Sequence, residues 1–157
     1  MKKIKIPIFV FLIILPLIIG MISAFLSSRG MSMYETMDKP PLSPPAWVFS
    51  AAWTILYLMM GLASYFIIIS ESYDKHLAFD LYILQLAMNF CWSLIFFNWK
   101  MYMLACLWLI FMWVIVFICT YKFFLIDKRS GLLMVPYILW LTFALYLNMG
   151  AYLLSIN

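Results

Sequence analysis

The sequence is poor in charge, and this shortage excludes most soluble folds. Only 10% of its 157 residues are Asp, Glu, Lys or Arg, whereas 68% are apolar. A soluble domain has about 25% charged residues, so this chain has too few polar side chains to cover a surface in water. The net charge of +4 does not indicate nucleic-acid binding, because the basic residues lie between apolar runs. The chain is therefore predicted to be an integral membrane protein, with lipid around it and no nucleic-acid partner.

Residues that carry common catalytic chemistry are also scarce. The three cysteines form no CxxC pair, and the one histidine, His76, lies in a charged segment. The sequence has no Gly-rich phosphate loop, no HExxH motif and no Ser/His/Asp set. These absences argue against a metal site, against haem held by histidine, and against hydrolysis or phosphoryl transfer. We therefore expect no metal ion and no required cofactor.

Charged residues divide the chain into five apolar runs, each long enough to cross about 30 Å of hydrocarbon as a helix. The runs, of which the third covers 81–99 and the fourth 101–121, contain no Asp, Glu, Lys, Arg or His, which disfavours ion channels and proton-coupled transporters. Only helices and closed barrels satisfy their backbone in lipid, and these runs lack the alternation of barrel strands. The predicted fold is an all-α bundle of five transmembrane helices near 6–27, 46–70, 79–98, 101–123 and 131–155.

The first run and the distribution of basic residues bear on topology. Lysines followed by an apolar stretch also occur in signal peptides, but this stretch is long and Ser23-Ala24-Phe25 is a poor cleavage site, so a retained helix is favoured. More basic residues lie on the side of the N-terminus than opposite it, which predicts a cytoplasmic N-terminus. The residues on the N-terminal side are Lys2, Lys3, Lys5, Lys75, Lys122, Lys128 and Arg129. Those on the other side are Arg29, Lys39 and Lys100.

Residues 28–45 form the longest predicted connection. Pro40-Pro41 and Pro44-Pro45 stiffen its second half into an extended path that cannot continue as a helix. Such a segment must lie over the ends of the bundle. It could act as a lid over a site or merely as a strap between helices, and shape alone does not separate the two.

The third predicted helix carries its polar residues on one face. Gln85, Asn89 and Ser93 recur at intervals of four, and Trp92 and Phe96 extend the same face. Because amides are costly to expose to hydrocarbon, this face should point into the bundle. These residues could form hydrogen bonds between helices, or they could orient a ligand in an apolar cavity. Spacing alone favours the first interpretation.

Four of the seven tryptophans fall into two groups. Trp47 and Trp99 lie at the ends of spans, where aromatic side chains anchor helices at the membrane surface. Trp53 and Trp140 lie inside spans and share their helix faces with small and polar residues. We interpret Trp53 and Trp140 as walls of a cavity, where flat indoles would stack on a flat aromatic ligand.

Three blocks of the sequence resemble the TspO/MBR family, the tryptophan-rich sensory or translocator proteins, also called peripheral-type benzodiazepine receptors. They are YETMDKPPLSPPAWVF at residues 34–49 followed by WTILY at 53–57, QLAMNFCWSLIFF at 85–97, and LMVPYILWLTFALYLN at 133–148. The blocks occur in the family's order along the whole chain. The family commonly has Trp where this chain has Met33 and Leu42.

The resemblance implies a five-helix bundle, usually a homodimer, that binds porphyrins and benzodiazepine-type ligands beneath the Pro-rich first loop, here in a bacterial cell membrane. By resemblance, Trp53 and Trp140 match two tryptophans credited with light-dependent porphyrin breakdown. The positions that match the family's pocket are Tyr34, Pro44, Asn89, Ser93, Phe96 and Ala144. The resemblance also favours a ligand-binding role for the face that begins at Gln85, and a lid role for residues 28–45.

Three functions follow from this resemblance and from the charge-free bundle. The first is a membrane receptor for tetrapyrroles such as protoporphyrin IX, with a sensory or stress-response role. The second is light-dependent degradation of the bound porphyrin, in which the ligand itself is the photosensitiser. The third is a carrier that moves porphyrins or lipids across the membrane. No Lys or Arg follows Arg129, so the sterol motif of animal members is absent and specific cholesterol recognition is not expected.

Overall fold

The computed structural model describes residues 6–35 and 39–156. Within these ranges, all five α-helices are long and apolar enough to cross a membrane, which confirms the predicted all-α transmembrane fold. The helices are α1 (Ile6–Glu35), α2 (Ala46–Ile68), α3 (Lys75–Ser93), α4 (Tyr102–Ile126) and α5 (Lys128–Ser155). A π-helical turn, Leu94–Asn98, continues α3.

The helices pack side by side in a closed ring with the order α1, α2, α5, α4, α3 and back to α1. The chain passes from the π turn to α4 through residues 99–101 alone, and Lys100 adopts a left-handed backbone with φ of 54°. This tight turn makes α3 and α4 antiparallel neighbours, as their short connection predicts. Helix α1 is the most peripheral, because only 17% of its most apolar stretch is buried, against 39% or more in the other helices.

The π turn packs against α1. The N–H of Trp99 donates to the carbonyl oxygen of Leu94 at 3.0 Å, five residues back, so the helix is locally wider than an α-helix. Gly30 of α1 lies directly on the backbone of Phe97, where a β-carbon would overlap the carbonyl group. A glycine is therefore needed at position 30 for this close approach.

Helix α1 ends eight residues later than the sequence analysis predicts, so the predicted connection 28–45 is wrong in its first half. Residues 28–35 contain no proline, and their serines fit a helix. The hydroxyl groups of Ser28 and Ser32 donate to the carbonyl oxygens of Phe25 and Arg29, at 2.8 and 2.9 Å. Contact with the π turn then stabilises the added turns. The proline-rich part remains outside the helices, and we call its described residues, 39–45, the proline segment.

Helix α5 begins three residues earlier than predicted because Asp127 caps it. The Asp127 carboxylate accepts hydrogen bonds from the backbone N–H groups of Arg129 and Ser130, at 2.8 and 3.3 Å. The Arg129 guanidinium donates to the same carboxylate at 2.8 Å and lies 4.4 Å from the ring centre of Phe66. The hydrogen bond from Arg129 is the main reason why the pKa of Asp127 is lowered from its ordinary value.

Candidate ligand-binding cavity

A cavity of about 250 Å³ lies near the end of the bundle at which the proline segment passes. Its described lining comes from α1, the proline segment, α2, α3 with its π turn, and α5. Small residues line it on both sides, with Ala24 on α1 and Ala144 on α5, while Gly20 of α1 lies against the ring of Tyr57. The cavity therefore lies within the ring of helices, toward the side that α1 and α2 cover.

Six of the residues predicted to bind ligand line this cavity. They are Pro44, Trp53, Asn89, Ser93, Phe96 and Ala144. The side chain of Tyr34 lies outside the described residues, so its predicted role stays a prediction. The structure thus brings together, from three helices and the proline segment, positions that are up to 100 residues apart in the chain.

Gln85 and Trp140 lie outside the described lining. Gln85 is fully buried one turn further along α3, where its amide N–H points to the sulfur of Met60 at 3.7 Å. Trp140 packs edge-on against Trp53, with ring centres 6.4 Å apart and planes at 86°. Trp140 therefore contacts a residue of the cavity wall, and its effect on a ligand would pass through Trp53.

Two stacked pairs of aromatic rings form flat parts of the wall. Trp53 stacks on Tyr57 with ring centres 5.5 Å apart and planes at 29°, both on α2. Trp92 of α3 stacks on Phe96 of the π turn at 5.4 Å and 23°. Stacking of this kind fixes the orientation of each ring. The cavity therefore presents rigid aromatic surfaces from two helices.

Polar residues of the wall also connect helices. The amide N–H of Asn89 donates to the hydroxyl oxygen of Tyr57 at 2.9 Å and so joins α3 to α2. The hydroxyl groups of Ser23 and Ser27 on α1 are hydrogen-bonded to the hydroxyl group of Ser93 on α3. Asn89 and Ser93 therefore form hydrogen bonds between helices, as their spacing on α3 favours, and both also line the cavity.

Helix α1 also contributes to the wall, which the sequence patterns did not predict. Seven residues of this helix line the cavity: Leu17, Gly20, Met21, Ser23, Ala24, Ser27 and Met31. Four of them are small and recur at positions 20, 23, 24 and 27, which places them on one face of a helix. This stripe of small residues could have indicated a cavity wall, but small residues in membrane helices also allow close contact between helices.

The proline segment is attached to α5. Tyr146 donates its hydroxyl hydrogen to the carbonyl oxygen of Pro41 at 2.8 Å. Pro40 is buried against Gly150, at which a β-carbon would overlap the proline ring. From this attachment the segment reaches the cavity, where Lys39 and Pro44 contribute to the wall. Lys39 is the one charged side chain in the described lining.

Comparison with known proteins identifies the family. Residues 12–153 match the TspO/MBR family. This chain belongs to the TspO/MBR family. It is 40% identical to the tryptophan-rich sensory protein of Cereibacter sphaeroides over 124 residues, which cover 79% of this chain and 77% of that protein. It is 30% identical to the tryptophan-rich protein TspO of Archaeoglobus fulgidus over 140 residues, covering 88% and 91%. It is also 30% identical to the translocator protein of Bos taurus over 139 residues, covering 86% and 82%.

Family membership and the five apolar helices together make this TspO/MBR protein a multi-pass membrane protein. Its three blocks of family resemblance become adjacent in space, since each contributes to the cavity wall. Within the described residues, no group of three or more His, Cys, Asp or Glu side chains is placed to hold a metal ion. The described wall offers a ligand aromatic rings, hydrogen-bonding groups and the ammonium group of Lys39.

Proposed function

We propose that this TspO/MBR protein is a membrane receptor for planar tetrapyrroles such as protoporphyrin IX, and that benzodiazepine-type ligands enter the same site. The observation that carries the proposal is the apolar cavity between two stacked aromatic pairs. A tetrapyrrole is a large flat aromatic ring system, and offset stacking on Trp53 or Phe96 would stabilise it. The scarcity of charge in the wall suits the ring rather than its carboxylates. A sensory role would follow from ligand-dependent change in the bundle.

The size of the cavity constrains how such a ligand would bind. A volume of about 250 Å³ lies below the roughly 300–1,000 Å³ of typical sites for drug-sized ligands, so a tetrapyrrole would have to widen it. Six of the described lining residues are exposed: Met21 and Ala24 on α1, Lys39 in the proline segment, and Ala46, Ser50 and Thr54 on α2. Five of the six mark the side covered by α1 and α2. Because α1 has the smallest buried share of the five helices, we expect its displacement to cost the least. We propose that the ligand widens the cavity at this side.

The proline segment is proposed to act as a lid. Its hydrogen bond from Tyr146 holds it to α5 while Pro44 contacts the cavity. Tyr146→Phe removes this hydrogen bond and keeps the ring, so we expect faster association and faster dissociation of protoporphyrin IX in stopped-flow fluorescence. Tyr121→Phe, on the exposed surface of α4, is the control. Rates equal to wild type in Tyr146→Phe would identify the segment as a strap.

The binding proposal is tested by titrating protoporphyrin IX into detergent-solubilised protein and following tryptophan fluorescence. Trp53→Phe should weaken binding about 2- to 10-fold, since an aromatic pair contributes ~0.5–1.5 kcal/mol. Trp140→Phe should have a smaller effect, because Trp140 contacts Trp53 and lies outside the lining. Trp113→Phe is the matched control on α4, where the indole N–H donates to Thr142 at 3.0 Å. Unchanged affinity and ligand spectra in both Trp53→Phe and Trp140→Phe would remove these residues from the site.

Light-dependent degradation of the bound porphyrin is a second proposal, favoured by the contact between Trp53 and Trp140. The porphyrin would absorb the light, and the protein would hold it against an indole that can quench or trap the reactive species. Loss of porphyrin absorbance under illumination, in air, should be faster with wild type than with Trp53→Phe. Equal loss with and without protein would refute this activity.

A carrier function is the third proposal, and the exposed residues of the wall favour it because they offer a route along the bundle. Wild type reconstituted in vesicles should then move protoporphyrin IX across the bilayer faster than empty vesicles do. Binding of protoporphyrin IX without transport would refute the carrier proposal and leave the receptor proposal intact. Pro44→Ala tests whether the proline segment limits such movement.

We further propose a bacterial cell membrane, a homodimer and a cytoplasmic N-terminus for this chain. Lys75, Lys122, Lys128 and Arg129 lie at the end of the bundle opposite the proline segment. By the positive-inside rule, this excess of positive charge supports a cavity end that faces away from the cytoplasm. Reporter fusions at the C-terminus test this orientation, because an odd number of spans predicts that alkaline phosphatase would be active there and green fluorescent protein would be dark.

A further inference from the structure

Two residues of the cavity wall carry polar atoms that have no hydrogen-bond partner among the described residues. Asn148 of α5 is 1% exposed, and neither its amide nitrogen nor its amide oxygen is hydrogen-bonded to any described residue. Trp92 of α3 is 7% exposed, and its indole N–H likewise lacks a partner within the described part of the chain. Both residues line the cavity. The wall therefore holds unused donors and one unused acceptor.

Two other tryptophans of the protein have indole N–H groups with hydrogen-bond partners. The N–H of Trp108 donates to the carbonyl oxygen of Met88 at 2.8 Å, and that of Trp113 donates to Thr142 at 3.0 Å. Neither Trp108 nor Trp113 belongs to the described lining of the cavity. The N–H groups of Trp108 and Trp113 thus join two helices, whereas Trp92 lies in the cavity wall and its N–H has no partner among the described residues. The N–H of Trp140 also lacks a described partner, but Trp140 lies outside the described lining. The position in the wall, together with the missing partner, therefore distinguishes Trp92.

An unsatisfied amide inside a membrane bundle is costly. A buried donor or acceptor without a partner destabilises a protein by roughly 1–3 kcal/mol, and leucine has nearly the shape of asparagine without this cost. On α5 the neighbours Ala144 and Leu147 offer no side-chain hydrogen bond. Packing between helices therefore does not account for an amide at position 148, whereas a ligand with matching groups would satisfy it.

We propose that Asn148 and Trp92 form a hydrogen-bonding subsite for an uncharged carboxamide or lactam group at the buried end of the ligand. An amide side chain presents both a donor and an acceptor, which is the pattern that a lactam N–H and C=O complement. The indole N–H adds a donor for the carbonyl oxygen. The group must be neutral because, in the described lining, the four helices contribute no charged side chain and Lys39 belongs to the proline segment.

This inference rests on the proposed binding of tetrapyrroles and makes it more specific. Open-chain tetrapyrroles carry lactam rings at their ends, whereas closed porphyrin rings carry none. The subsite therefore selects open-chain over closed tetrapyrroles, while the aromatic walls accept both. Biliverdin dimethyl ester and protoporphyrin IX dimethyl ester are suitable probes. The first has lactam rings and the second has none, and both lack free carboxylates.

The experiment measures the affinity of both probes by tryptophan quenching in detergent, for wild type and three variants. Asn148→Leu should weaken binding of the biliverdin ester about tenfold, equivalent to ~1.4 kcal/mol, and leave binding of the porphyrin ester unchanged. Trp92→Phe keeps the stacked ring and should show a smaller loss of the same selectivity. Trp108→Phe removes an indole N–H elsewhere and should change the affinity ratio of the probes by less than twofold.

The stability of the ligand-free protein gives an independent readout. Asn148→Leu should unfold at the same temperature as wild type or at a higher one, because the substitution removes two unsatisfied polar atoms. A lower unfolding temperature with an unchanged affinity ratio would show that Asn148 is structural and would overturn the inference. Equal losses for both probes would also overturn it. If neither probe, nor protoporphyrin IX itself, binds wild type, the proposed function fails as well.

Discussion

The hydrogen bond between Asn89 and Tyr57 allows the sharpest test of how this bundle is stabilised. Tyr57→Phe removes the hydroxyl oxygen that accepts from the Asn89 amide at 2.9 Å, and it keeps the ring that stacks on Trp53. Hydrogen bonds between membrane helices contribute ~0.6 kcal/mol on average and up to about 1.7 kcal/mol. Because Asn89 is only 3% exposed, its freed N–H would find little water. We therefore expect a loss of about 1–2 kcal/mol in the free energy of unfolding.

Unfolding in mixed micelles, followed by circular dichroism, measures this loss. Asn89→Leu alone should also destabilise, because it leaves the Tyr57 hydroxyl group buried without its donor. The double variant Tyr57→Phe/Asn89→Leu should be more stable than the sum of the single changes predicts, by about 1 kcal/mol, since neither partner is then left unsatisfied. Tyr121→Phe, at an exposed position of α4, should change stability by less than ~0.5 kcal/mol. Additive effects of the two substitutions would refute the reasoning.

Three further predictions concern close contacts and a helix cap. Gly61→Ala would place a methyl group 2.7 Å from the carbonyl oxygen of Leu12, so α1 and α2 must separate. We expect a loss of about 1–3 kcal/mol in the free energy of unfolding, measured in the same assay. A variant as stable as wild type would contradict this packing. Gly30→Ala would overlap Phe97 and should increase hydrogen exchange at the end of α1, whereas unchanged exchange would count against the contact. Asp127→Ala should cost about 1 kcal/mol through the lost cap. Because the pKa of Asp127 is lowered in the folded protein, its contribution is complete above its unfolded pKa of roughly 4. It disappears as pH falls through the lower folded value, so the difference between wild type and Asp127→Ala should shrink in acid; a difference independent of pH would contradict the assignment.

Charge and hydropathy were sufficient to predict the five spans, because each helix in lipid must satisfy its own backbone and must be apolar along about 20 residues. These requirements are local, so they can be read from the chain. Helix ends were less predictable. The polar residues Ser28 and Ser32 resemble a loop in the sequence, yet their hydroxyl groups bond within α1, and contact with the π turn stabilises the helix there.

The site was predictable in its residue types but only partly in its arrangement. Spacing placed Gln85, Asn89 and Ser93 on one face of α3, but one helical turn separates Gln85 from the cavity that the other two line. Similarly, Trp53 and Trp140 share the same pattern of small and aromatic neighbours, yet Trp53 forms the wall and Trp140 packs against it.

The sequence by itself determined that the protein spans the membrane five times, that its apolar runs are free of charge, and that three of its blocks belong to one family. Only the tertiary structure decided which side chains line the cavity and which polar atoms find partners. The reason is physical: crossing a membrane depends on each segment's own composition, whereas the position of a side chain such as Asn148 in a wall depends on how neighbouring helices rotate and approach one another.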